Sequence, residues 1–146
     1  MPDRSNEDVV REYWRAHLAH DYDGLGELRH ADWFVDWPQS GERVRGDANA
    51  RALIENYPGG QPDITSGRVV GSEDRWVMTP LYTIQRVVGN GDFWWGDGTV
   101  SYPDGSTWHL AVLVELRDGR IYRETNYFAA PFEAPAWRAR WVERMG

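Results

Sequence analysis

The sequence predicts an α+β fold: a cone-shaped, curved antiparallel sheet wrapped around N-terminal helices, with a short C-terminal helix. Three observations predict it. Apolar residues near the N-terminus recur with a helical period. From Ile64 onward the pattern changes to strand-like runs broken by glycine and polar turns. Between the last two runs stands Asp118-Gly119, a strong two-residue hairpin signal. Helices segregated from an antiparallel sheet define the class, and the sheet must curve to bury both apolar sets. The open end of such a cone suits a ligand. The 146 residues are expected to form one domain, 1–146.

Ser5, with Asp8 three residues on, reads as an N-cap. Val10, Tyr13, Trp14, His17 and Leu18 then form an amphipathic stripe that ends near Asp21. A second short helix is expected from Asp23 to His30. Asp32 to Trp37 reads as a strand stopped by Pro38, and Glu42 to Arg45 as a short strand pairing back. Asp47 is read as the N-cap of a third helix carrying Ala50, Leu53, Ile54 and Tyr57, terminated by Pro58-Gly59-Gly60. Ile64–Gly71 and Trp76–Val88 are expected as two strands. Gly89 to Gly105, rich in glycine and aromatics, is an insertion that can form a lid, a rim or an extra hairpin. Pro131 and Pro135 end the last strand, and Ala136 to Met145 is expected as a terminal helix.

In the final hairpin a two-residue loop sets Leu116 opposite Ile121 and Leu113 opposite Glu124. Strict alternation then puts Leu110, Val112, Val114 and Leu116 on one face. The other face carries His109, Ala111, Leu113 and Glu115 with Tyr122, Glu124, Asn126 and Phe128. Its mixture of titratable, polar and aromatic groups suits a pocket wall. The first, apolar face then needs a cover, and a partner sheet supplies one.

Composition excludes several classes. A net charge of −7 with scattered arginines offers no basic stripe for nucleic acid. There is no cysteine, so disulfide and thiolate chemistry are absent. The polar N-terminus carries no secretory signal and no run is long enough to span a membrane, so a cytoplasmic protein is expected. The four histidines show no metal-ligand spacing, and no phosphate-binding glycine motif or nucleophile elbow is present. Neither metal nor cofactor is expected. Nine tryptophans argue for a roomy apolar cavity.

The element order resembles the nuclear transport factor 2-like fold, and within it the SnoaL-like branch. The resemblance covers nearly the whole chain. It rests on Val9-Val10-Arg11-Glu12-Tyr13, Asp21-Tyr22-Asp23-Gly24-Leu25, the Asp36-Trp37-Pro38 corner, Gly46-Asp47 and Arg123-Glu124-Thr125-Asn126-Tyr127-Phe128. That fold hosts isomerases, cyclases, epoxide hydrolases, dehydratases, ligand binders and association domains, so the resemblance implies architecture more than activity. Set beside ketosteroid isomerase without gaps, Tyr13 falls on the oxyanion-hole tyrosine and Trp37 on the catalytic base. Tryptophan cannot abstract a proton, and no acid stands near Ala111 to Leu113, where the second oxyanion acid would fall. Steroid isomerisation is therefore not implied. SnoaL-like cyclases place a histidine and an acid on the last two long strands, which His109 and Glu124 resemble. The reaction so implied is an intramolecular aldol closure. The resemblance also implies a homodimer.

Glu124 is the expected catalytic base, because an apolar cavity raises a carboxyl toward useful pKa values. His109 and Tyr13 are the expected catalytic partners, with Asn126, to orient or stabilise an enolate oxygen. Trp37, Trp76, Trp95, Trp108 and Phe128 are expected to enclose a hydrophobic small-molecule ligand, with His17 and Asp36 also in contact. Bland alternatives stand beside each: Glu124 in an ion pair, His109 at the cone's mouth, Tyr13 and His17 in the core, Asp36 bonded to its own turn. The sequence thus predicts a small cofactor-free enzyme acting by acid–base chemistry on a cyclic or polyketide-like molecule. A non-catalytic binding module or a dimerisation domain is the alternative.

Overall fold

A computed structural model describes residues 4–60, 67–70, 76–78 and 83–145, with side chains for 4–60, 87 and 89–145. Helix α1 (Asn6–Leu18) starts at a full capping box. The Ser5 side chain accepts from the Asp8 amide, and the Asp8 carboxylate accepts from the Ser5 amide. Helix α2 (Tyr22–Leu28) is capped by Asp21, one residue earlier than expected. Strand β1 (Arg29–Trp37) follows without a break, starting before Asp32, and β2 (Glu42–Arg45) pairs back on it. Helix α3 (Asp47–Glu55) has Gly46 as its cap residue, with no side-chain cap bond. Asp47 is therefore not the N-cap: it sits in the first turn, and its carboxylate is spent on Arg29.

The remaining strands are β3 (Gly67–Val70), β4 (Trp76–Met78), β5 (Thr83–Asn90), β6 (Phe93–Ser101), β7 (Thr107–Arg117) and β8 (Arg120–Ala129). Trp76 to Val88 is thus two strands: β4 pairs antiparallel with β3, and β5 pairs parallel with β3. The expected strand residues Ile64 to Ser66 and Gly71 lie outside the described residues. The glycine- and aromatic-rich insertion is a hairpin strand, β6, inserted between β5 and β7. One curved sheet runs β2-β1-β8-β7-β6-β5-β3-β4. Most of its pairings are antiparallel, and β1 lies parallel to β8. The C-terminal segment forms a short 3₁₀ helix, Ala136–Trp141, with no buried residue. Without a surface to pack on, the expected longer helix lacks the burial that sustains one.

The β7–β8 turn has φ 53° at Asp118 and φ 72° at Gly119, the signature of a type I′ turn. Leu116 faces Ile121 as expected, but Glu115 then faces Arg123, so Tyr122 is an extra residue in β8. This β-bulge reverses the facing of everything beyond it. Glu124 pairs with Val114, Asn126 with Val112 and Phe128 with Leu110. The apolar row Leu110, Val112, Val114 and Leu116 therefore points into the cone and is buried there. It is not the outer face that needed a partner. Glu124 and Asn126 keep their inward position, whereas His109 and Leu113 turn outward and are exposed.

Helix α1 lies across the concave side, burying Val9, Val10, Tyr13, Trp14 and Ala16. It packs tightly on the sheet at Gly96, where a Cβ would stand 2.6 Å from the Trp14 indole. Gly96→Ala should therefore overpack the core and lower stability by about 1–3 kcal/mol, read as a fall in thermal midpoint. An unchanged midpoint would show that Trp14 has room to move.

Candidate functional site

The concave face encloses a cavity of about 350 Å³, within the usual range of ligand sites. Apolar walls come from Val10, Trp14, Leu25, Val35, Val44, Val100, Leu110, Val112 and Val114. The polar groups reaching it include Tyr13, His17, Arg29, Asp47, Glu124 and Asn126. A second hollow of about 490 Å³ shares Trp37, Tyr57, Tyr102 and Phe128 with it and adds Trp108. It forms an aromatic mouth, with Tyr102 stacked on Tyr57 and edge-on to Trp108.

Glu124 is 3% exposed and carries the centre of the site. Parallel pairing puts Val35 beside Glu124, and this register brings Trp33 within reach. The Trp33 indole Nε1 donates to Glu124 Oε1 at 2.9 Å. The Tyr13 hydroxyl donates to the same oxygen. Tyr13 in turn accepts from Arg29 Nε at 2.7 Å, and Arg29 Nη1 donates to Asp47 Oδ1 at 2.7 Å. The Arg29 guanidinium also lies 3.8 Å from the centre of the Trp33 ring, a desolvated cation–π contact. The chain of contacts is Asp47, Arg29, Tyr13, Glu124, Trp33. Arg29 compensates the charge without bonding the carboxylate. Among the described residues no donor is seen on Glu124 Oε2, and Glu124 lines the cavity.

These contacts set the titration of the site. Burial raises the Glu124 carboxyl above its usual range, against the lowering influence of Arg29, Tyr13 and Trp33. Burial and then the Glu124 charge push the Tyr13 phenol well above its usual value. Burial, with help from Arg29 and His20, lowers His17 to about 3. Burial alone would lower Arg29, but the charges of Tyr13 and Glu124 raise it on balance. At neutral pH the site therefore holds a fixed cation, a neutral phenol and a neutral imidazole around a carboxyl whose pKa burial raises.

Tyr13, His17, Trp37, Glu124, Asn126 and Phe128 are brought together as expected. The register that opposed Glu124 to Leu113 is replaced, and with it goes His109: it pairs with Thr99 and Ala129 on the outer face. Trp95 also lies across the sheet from the cavity, beside Val88 and Leu113, because the inward residues of β6 are Trp94, Gly96, Gly98 and Val100. Trp108 lines the mouth, not the inner cavity. Asp36 sits outside, bonded by Arg43 through both its oxygens at 2.5 and 2.9 Å, which holds its carboxyl below the usual range. Trp76 begins β4, and its side chain lies outside the described residues. Sequence reasoning missed Arg29, Trp33 and Asp47. An arginine beginning a strand two residues before an Ala-Asp-Trp run carries no signal of its own; only the parallel β1–β8 pairing makes it part of the site. Asp36→Asn and His109→Ala should each shift stability by less than about 1 kcal/mol and leave ligand affinity unchanged. A lost affinity in either variant would return that residue to the site.

Among the described residues no group of three or more metal-ligating side chains converges, and no helix is long and apolar enough to cross a membrane.

No curated protein matches the sequence. Solved structures do. An NTF-2 like protein of unknown function from Burkholderia xenovorans is 32% identical, over 97% of this chain and 95% of that one, with a TM-score of 0.73. A Kribbella flavida protein provisionally assigned as a ketosteroid isomerase is 21% identical over 97% and 90%, with a TM-score of 0.71. A Xanthomonas campestris protein provisionally assigned as a polyketide cyclase is 20% identical over 84% and 88%, with a TM-score of 0.61. The family model of the SnoaL-like domain matches residues 10–124, a span that starts within α1 and ends on the central carboxylate itself. By that match over most of its length, and by the helix-filled curved sheet that accompanies it, this chain belongs to the SnoaL-like family.

Proposed function

We propose that the protein is a cofactor-free acid–base enzyme acting on a hydrophobic cyclic or polyketide-like molecule held in the cone. The observation that supports this most is Glu124: buried, raised in pKa, lining the cavity, with both of its donors on Oε1 and without an arginine bonded to it. In an aldol closure Glu124 removes the carbon-bound proton next to a substrate carbonyl. The C–H electron pair forms an enolate, whose carbon attacks a second carbonyl of the same molecule. A carbon–carbon bond forms, the attacked carbonyl becomes an alkoxide, and the proton returns to it from Glu124. Isomerisation or dehydration would use the same base with a different fate for the pair.

Tyr13 serves here as a positioning residue, since its one proton is already given to Glu124 and its oxygen is held by Arg29. His109, expected in the catalytic set, has no place in this mechanism. The neutral His17, which lines the cavity edge-on to Tyr13, takes over the role of donor to the enolate oxygen. Phe128 and Trp37 pack against each other at 6.4 Å and bound the ligand at the mouth. A homodimer is part of the proposal. Its contact would be the outer face of the sheet, where the neighbours Leu113 and Tyr127 remain 46% and 45% exposed.

The test is a screen of β-polyketone and cyclic-ketone compounds by intrinsic tryptophan fluorescence, followed by turnover of the binders in wild type and Glu124→Gln. Binding with turnover that the variant loses supports the enzyme. Binding without turnover in either protein supports a carrier, a reading favoured by the two donors that already occupy Glu124 Oε1.

A further inference from the structure

Among the described residues, the Trp37 indole Nε1 and the Asn126 side-chain Oδ1 are buried with no hydrogen-bond partner. A buried donor or acceptor left unmade is costly, so each such group calls for an explanation. The two belong to adjacent strands. β1 and β8 run parallel with Val35 beside Glu124 and Asp36 beside Thr125, so Trp37 and Asn126 come next on the two strands. Both residues line the same cavity as Glu124. One atom is a donor and the other an acceptor, and apolar side chains surround them: Leu110, Val112 and Phe128.

We infer that Trp37 Nε1 and Asn126 Oδ1 form a subsite for a hydroxyl group on the ligand. A hydroxyl is the small group that satisfies both at once, accepting from the indole N–H and donating to the amide oxygen. A methyl group satisfies neither. A carbonyl satisfies only the indole. Asn126 stands two residues from Glu124 along an extended strand, about 7 Å. The ligand class is therefore an apolar ring system with its reacting carbon at Glu124 and a hydroxyl roughly 7 Å away, toward the aromatic mouth. This rests on the cavity being the ligand site proposed above. It does not require Glu124 to be a catalyst.

The direction of selectivity is diagnostic. In a purely apolar cavity a hydroxyl binds worse than a methyl of the same size, because it loses water and gains nothing. With both partners waiting, the order reverses. The experiment is calorimetric titration of the wild-type protein with 2-naphthol and with 2-methylnaphthalene, which differ only in that group. Wild type should prefer 2-naphthol by about tenfold. Asn126→Leu should abolish or invert the preference, Trp37→Phe should reduce it while keeping an aromatic wall, and Glu124→Gln should retain it. Equal binding of both probes by wild type overturns the inference, as does a preference that survives Asn126→Leu or disappears in Glu124→Gln. Should Asn126→Leu not fold, the Trp37→Phe result decides alone. Failure of both probes to bind overturns the cavity as a ligand site, and the subsite with it. Retained hydroxyl preference without any turnover leaves the subsite standing and removes only the enzymatic reading.

Discussion

With Glu124 as the proposed base, Glu124→Gln is expected to lower turnover roughly 10²–10⁴-fold, the usual worth of a positioned general base. The substitution is close to isosteric. Its amide oxygen can still accept from Tyr13 and Trp33, so the cavity keeps its shape and binding should change little. The loss belongs in kcat rather than KM. The same variant should also change the pH dependence of stability. Glu124 has its folded pKa raised above the ordinary 4.5. The folded state then holds this proton more tightly than the unfolded state does. Its contribution to stability is fully present below about pH 4.5 and is lost as pH rises through the folded pKa. Glutamine has no proton to lose. The thermal midpoint of the variant should therefore gain on wild type from pH 4.5 upward and level off once wild-type Glu124 is ionised. Melting curves between pH 4 and 8 check this, and a constant difference across that range would show that burial does not raise the carboxyl.

Arg29→Met is expected to destabilise the fold by about 3–5 kcal/mol, as happens when a buried charge loses its compensation. Arg29 is 9% exposed and serves three neighbours: it donates to Tyr13 and to Asp47 and stacks on Trp33. Methionine fills much of the space and satisfies none of the polar groups. The Glu124 carboxylate then keeps two neutral donors and no cation, so the loss should shrink at acid pH as Glu124 takes its proton. Arg29→Lys should not restore the fold fully, since one ammonium cannot reproduce the planar fork that reaches Tyr13 and Asp47 together while lying on an indole. Urea titration gives the values. In the Glu124→Gln background the cost of Arg29→Met should be smaller by at least about 0.5 kcal/mol, the least coupling expected of interacting groups. A loss under about 1 kcal/mol would mean that the network is dispensable.

Much of the architecture was legible because it is written in local chemistry. The Ser5 and Asp8 pair capped α1, the Val10 to Leu18 stripe buried as a helix should, and Asp118-Gly119 made its I′ turn. That Glu124, Asn126, Tyr13 and His17 would line one cavity was legible for a similar reason: a polar group within an apolar period stands out. In the last hairpin the failure came at one residue. The hairpin reading assumed unbroken alternation from Leu116 to Trp108, and the extra residue Tyr122 shifted the register. That single bulge moved His109 out of the site and turned the valine row inward. No local signal marks Tyr122, whose ring is held by the Arg117 guanidinium at 3.7 Å and by His30 and Phe34 from β1.

By itself, then, the sequence determined the N-terminal helices, the last hairpin turn and the presence of an acid on the last long strand, because caps, periods and glycine conformations act over a few residues. Tertiary structure alone decided which side chains meet that acid. Laying β1 parallel to β8 delivered Arg29, Trp33 and Trp37 from the first third of the chain. Contacts across some ninety residues depend on strand pairing and on burial of the whole concave face, and neither has a period that can be read along a single strand.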